Sequence, residues 1–138
     1  MSNHYEEIKH KNKLIAIIIK SDYSSGKTIF FSPPGFSQQL GYLRHDKGGS
    51  IKAHFHKEVR REIILTQEVL FIRAGKIKID LYTVKKEYIT SRELNRGDVI
   101  FLCSGGHGFK ILEDSEIIEV KQGPYSNREI DKELFDGV

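Results

Sequence analysis

The order of apolar and polar positions along the chain predicts a protein built of short β-strands. The clearest run is Lys76-Ile77-Lys78-Ile79-Asp80-Leu81-Tyr82, in which polar and apolar residues alternate. Successive side chains of a strand point to opposite faces, so this alternation predicts one buried and one wet face. Residues 63–73 form an apolar run just upstream, and Ala74-Gly75 between the two reads as a tight hairpin turn. Residues 14–20 are rich in Ile and end at Ser21-Asp22, and residues 28–31 end at the breaker Pro33-Pro34-Gly35. Two more candidates, 40–44 and 50–56, flank Lys47-Gly48-Gly49, and residues 98–102, 107–112 and 117–121 complete the set. Many short strands at close spacing predict an all-β sandwich or barrel. Only the C-terminal stretch reads as helical. Ser126 and Glu129 stand at capping-box spacing, and Ile130, Leu134 and Phe135 offer an apolar stripe to pack across the barrel.

Composition narrows the class. The 138 residues suit one domain spanning 1–138, and 38% hydrophobic with 30% charged residues is ordinary for a globular protein. No internal repeat or low-complexity tract divides the chain. The net charge of +3 comes from 22 basic and 19 acidic residues with the signs interleaved. The two dense basic spots, 9–13 and 57–61, are short, and neither forms a basic stripe set with aromatics, which argues against a nucleic-acid partner. The apolar run 14–19 is far shorter than the roughly 20 residues of a membrane helix, and MSNHYEEIKHKNK lacks the apolar stretch of a signal peptide. A cytoplasmic protein with no membrane partner is expected. Run 14–19 is also more apolar than a strand with one wet face. It predicts burial on both faces, as at a sheet-to-sheet contact in a homodimer. The lone Cys103 excludes an intrachain disulfide and reads as a small buried hydrophobe rather than a reactive thiol.

Six histidines carry the candidate chemistry. His4 and His10 lie in a polar N-terminal arm and are expected to be exposed, and His45 lies in a turn beside Asp46. His54 and His56 flank Phe55, so on a strand both imidazoles face one side. Two imidazoles side by side in a barrel interior are costly to desolvate without partners. A shared metal ion is one solution, and an outward-facing pair on a wet face is the other. His107 stands in Ser104-Gly105-Gly106-His107-Gly108-Phe109, where glycines permit a turn with room for a bound group.

Taken together, Gly48, His54-Phe55-His56, Glu68 and Gly75 resemble the first motif of the cupin superfamily, a Gly, a His-x-His, a Glu and a hairpin Gly in that order. Gly97-Asp98 through Cys103-Ser104-Gly105-Gly106-His107 resembles the second motif, and the likeness spans about residues 40–121. Two departures stand out. Eleven residues separate His56 from Glu68 where the family has three or four, and Cys103 stands where proline is usual. Glu62 is closer to the common spacing, but Glu68 keeps the spacing to Gly75. The resemblance implies a single-domain double-stranded β-helix (jelly-roll) barrel with a metal held by His54, His56, Glu68 and His107. It implies an ion among Fe, Mn, Ni, Zn and Co with open positions for a small-molecule ligand. The function it implies is an isomerase, epimerase or dioxygenase-like enzyme acting on a small polar metabolite. The alternative is a small-molecule-binding module with a structural metal or none. Lys52, Arg44, Tyr42, Lys110 and Tyr125 are candidates to line the ligand pocket, Lys52 because it shares strand parity with His54 and His56.

Overall fold

Alternation does govern the best-formed part of the chain. In the computed structural model, which describes residues 4–138, Ile77, Ile79 and Leu81 of one strand are almost wholly inaccessible. The chain forms two compact units, one made of residues 4–23 and 66–138 and the other of Ser24–Leu65. We call them the sheet unit and the intervening segment.

The sheet unit holds two antiparallel sheets. One has five strands: β1 (Tyr5–His10), β2 (Lys13–Ile19), β5 (Glu68–Ala74), β8 (Val99–Leu102) and β10 (Glu116–Lys121), in the order β1-β2-β8-β5-β10. The other has three, β6 (Lys76–Tyr82), β7 (Tyr88–Asn95) and β9 (Gly106–Ile111), in the order β7-β6-β9. Their inner faces share one core. Ala16, Ile18, Leu70, Ile72 and Ile100 come from the first sheet and Ile77, Ile79, Leu81 and Leu94 from the second. Each fully buried aliphatic side chain of this kind contributes roughly 1.5–3 kcal/mol. Along the β1 and β7 edges, the Arg92 guanidinium clamps the Glu6 carboxylate, with its shortest N–H···O bond at 2.6 Å. Among the described residues the chain is thus all-β apart from one helical turn, and neither sheet closes on itself.

Four expectations change. First, β5 and β6 are not a hairpin pair. β5 pairs with β8 and β10, whereas β6 pairs with β7 and β9. The Ala74-Gly75 turn is therefore a corner that carries the chain from one sheet to the other. Gly75 has φ +83°, and a Cβ there would lie 2.1 Å from the Asp114 carbonyl oxygen, so only glycine turns this corner without strain. Second, the polar arm is strand β1. Glu7 and Lys9 are exposed while Ile8 is buried. A two-residue Lys11-Asn12 turn with both φ values positive joins it to β2, as the right-handed twist of hairpins favours. His4 and His10 are consequently half-buried rather than exposed. Third, residues 50–56 form no strand. Fourth, the helix is a single turn, α1 (Arg128–Asp131), whose N-cap is Asn127 rather than Ser126. Ile130 and Leu134 are exposed, so the apolar stripe packs on nothing. Phe135 instead meets Tyr82 edge-on, with ring centroids 5.0 Å apart.

β2 is buried on both faces, as its composition predicts, with Ile15, Ala16, Ile17 and Ile18 all nearly inaccessible. That burial is complete within one chain and does not require a second copy. No helix among the described residues is long and apolar enough to cross a membrane.

The intervening segment is organised differently. Its strands are two residues each, β3 (Ile29–Phe30) and β4 (Gly41–Tyr42), paired with each other. Gln39 ties the loop between them, donating from Nε2 to the carbonyls of Pro33 and Phe36 while its Oε1 accepts from Ser32 Oγ. From 43 to 65 the backbone is irregular and the side chains are exposed or nearly so.

Candidate functional site

Glu68 opens β5 on the same face as Leu70 and Ile72, so its carboxylate points to the inside of the sandwich. His107, the second residue of β9, is registered with Leu81 and also takes the inner face. The two side chains meet with His107 Nε2 3.3 Å from Glu68 Oε2, and only 11% of the Glu68 side chain is accessible. The hydrogen bond from His107 is the largest influence on this carboxyl. It overcomes the opposing effect of burial and holds the Glu68 pKa down to about 2.

Glu119 completes the cluster. On β10, Ile117, Glu119 and Lys121 are registered with Ile72, Leu70 and Glu68 of β5 and so share their face. Burial raises the Glu119 pKa first, and its hydrogen bond with Glu68 raises it further. The two carboxyls are thus pushed apart, Glu119 upward and Glu68 downward. Lys121 Nζ lies 3.9 Å from both Glu119 and Asp131. Sequence reasoning missed Glu119, which no alternation in Glu116-Ile117-Ile118-Glu119-Val120-Lys121 marks.

Behind the pair, Gln67 is buried and donates from Nε2 to the Cys103 carbonyl, tying the start of β5 to the turn that delivers His107. That turn is closed by Gly105, with φ +77° and a would-be Cβ 2.2 Å from the Tyr82 carbonyl oxygen. Cys103 is buried, and burial pushes its thiol up to about 12. It is packing, not a nucleophile. The Gly97-Asp98 motif is likewise structural. The Asp98 carboxylate accepts from Lys20 Nζ, Ser21 N and Asn95 N at 2.7–2.8 Å, so it locks the turn after β7 to the end of β2.

His54 and His56 lie in the intervening segment on irregular backbone, so strand parity does not orient them. Their rings are nevertheless neighbours, with centroids 5.3 Å apart at 69°. His54 Nδ1 is 2.8 Å from the Lys52 carbonyl. A carbonyl only accepts, so Nδ1 is the donor in this contact. Metal-binding histidines are oriented by bonds of this kind. Glu62 is exposed in the same segment, outside any strand.

The remaining candidates are scattered. Lys52 is exposed and, lacking a strand, has no parity with the histidines. Tyr42 belongs to β4, whereas Arg44 lies beyond it and pairs with Asp46 at 2.9 Å. Lys110 takes the outer face of β9, opposite to His107, and reaches Asp80 at 3.5 Å. Phe109 is the neighbour on His107's face, with ring centroids 5.4 Å apart. Tyr125 is exposed.

Among the described residues no three or more His, Cys, Asp or Glu side chains are gathered into a group that would hold a metal ion. The Glu68–His107 pair fits as part of a ligand set. Two donors about 2.0–2.2 Å from one divalent ion stand about 3.0–3.5 Å apart, according to geometry, which brackets the observed 3.3 Å. No protein-family model, curated protein or solved structure matches this chain.

Proposed function

We propose that this protein is a metal-dependent, cupin-type protein acting on a small polar metabolite, with Glu68 and His107 as two ligands of one divalent ion. The observation that carries the reading is the meeting of those two side chains on the inner face of the sandwich, at the sequence positions the two motifs single out. Motif order adds His54 and His56 as the other ligands. A jelly-roll barrel is the corresponding architecture and a homodimer the corresponding assembly.

A bound ion of this ligand type supplies Lewis-acid polarisation or an acidified water. The chain's own residues prepare for it. His107 keeps Glu68 anionic against the opposing effect of burial, as a ligand must be. Gln67 and Gly105 fix the two strands that present the pair. Glu119 stands beside the Glu68 carboxylate, with its own pKa raised by burial and by that contact. Phe109 gives the site an apolar wall.

The test is elemental analysis of protein purified without chelator, alongside His107→Ala, His54→Ala and, as a control, His45→Ala. The reading expects one equivalent of transition metal, lost in the first two variants and kept in the third. Well-folded protein with no stoichiometric metal would sink it. Dioxygen uptake with Fe(II) and candidate acids or sugars separates an oxygenase from an isomerase. One observation favours a second reading, a metal-free binding module: Glu68 already has hydrogen-bonded partners in His107 and Glu119. Ligand-induced shifts without metal and without turnover would support it.

A further inference from the structure

Three lysines without carboxylate partners converge on one pocket of the sheet unit, and we propose that this pocket binds a small organic anion such as a phosphate monoester. The pocket, of about 290 Å³, lies where the β1–β2 turn, the β6–β7 turn and the Ser104-Gly105 loop meet. Lys11, Lys13 and Lys85 line it together with His10.

What singles it out is that three lysines without carboxylate partners line one concavity. Lys9, Lys20, Lys76, Lys78, Lys86, Lys110 and Lys121 each have a carboxylate partner. Among the described residues, Lys11, Lys13 and Lys85 have none; Lys27, Lys47, Lys52, Lys57 and Lys132 also have none but do not line this pocket. Like charges brought to one concave surface without counter-ions repel, and an anion relieves that repulsion. Glu87 is the one carboxylate among the lining residues, so three cations oppose one anion there.

The walls are fixed. Thr83 Oγ1 accepts from the backbone N–H groups of Lys85 and Glu87, both at 3.2 Å. The Thr83 carbonyl accepts from Lys86 N at 2.9 Å. On the other side Ser104 Oγ donates to the Leu14 carbonyl at 2.7 Å, and Cys103 N donates to the Ile15 carbonyl. Two turns held in this way present the lysines at defined positions. Ile15 and Val84 add apolar surface to the lining, which suits an anion with an organic body better than a bare inorganic ion. Neither Glu68 nor His107 lines the pocket, and binding there needs no metal.

Phenyl phosphate is the probe, titrated at physiological ionic strength with heteronuclear NMR and calorimetry, against inorganic phosphate and phenol. Saturable binding is expected for phenyl phosphate, with shifts at the Lys85, Ser104 and Gly105 amides. Inorganic phosphate should bind more weakly, and phenol not measurably. Lys13→Ala and Lys85→Ala should each weaken binding about fivefold, the size of one surface charge interaction. Lys76→Ala should leave it unchanged. These exposed lysines stand outside the core, so the variants should fold, as their amide spectra will report. Non-saturating shifts, equal affinity in a Lys13→Ala/Lys85→Ala double variant, or binding of inorganic phosphate as tight as that of phenyl phosphate would overturn the proposal.

Discussion

The sheet unit and the intervening segment differ in how they use apolar residues. In the sheet unit Ile77, Ile79, Leu81, Leu94 and Ile100 are fully buried between two sheets. In the segment Ile51, Phe55, Val59 and Ile64 are between 58% and 95% exposed, and only Phe31 and Ser32 are buried. The hydrogen bonding differs in the same way. Strands of four to eight residues form continuous ladders in the sheet unit, whereas β3 and β4 make two registered pairs. An apolar residue contributes to stability only where neighbours exclude water from it, so composition alone does not rank the two regions.

That contrast has measurable consequences. The largest should come from Ile79→Ala, which leaves a cavity between the sheets and should cost about 4 kcal/mol in urea unfolding. A loss below about 1 kcal/mol would mean that the core is not packed as described. Next is Asp98→Ala, which strips Lys20, Ser21 and Asn95 of their shared acceptor. It should cost about 3 kcal/mol, since a buried hydrogen-bonded pair is broken from one side. Asp98→Asn should recover part of that loss by keeping the shape and one acceptor. If Asp98→Ala unfolds like the wild type, the turn is held by something else.

Cys103 gives a readout of the sheet unit alone. Its thiol titrates near 12 because it is buried, so at pH 8 it stays protonated in the native state. A folded pKa raised above the unfolded value stabilises the native state below the unfolded pKa, near 9. That contribution is lost as pH rises from about 9 through about 12. Thiol reagents should label Cys103 only as fast as the sheet unit opens, and at once in denaturant. Rapid native labelling would show that the turn before β9 is loose. Trypsin should meanwhile cut first in the segment, at the exposed Lys57, Arg60 or Arg61, and first cuts within β5 or β6 would reverse the contrast. The smallest effect should be Ile64→Ala, within about 0.5 kcal/mol of wild type, as for exposed positions generally.

Legibility in the sequence follows the same division. β6, β8, β9 and β10 were readable because period-2 alternation or a short bounded apolar run marks each of them. β1 and β7 were missed because only Ile8 and Leu94 are buried along them, too few to create a pattern. The β5–β6 hairpin was misread for a physical reason. A glycine with positive φ serves equally for a hairpin and for a corner between sheets, and partner choice depends on distant strands. The 50–56 strand failed because Gly48 and Gly49 precede it, a charged run follows it, and none of its residues has a ladder partner. At the candidate site, Glu68 and His107 were legible from motif spacing. Glu119 was not, because its role arises from the pairing of β5 with β10, which spacing does not encode.

The central claim is that Glu68 and His107 meet in order to hold a metal ion. The most direct test is anomalous diffraction from crystals grown with Co(II), recorded across the cobalt edge. The account predicts one peak about 2.0–2.2 Å from both Glu68 Oε2 and His107 Nε2, absent in His107→Ala crystals. A peak elsewhere, or none while the two side chains stay hydrogen-bonded to each other, would contradict it.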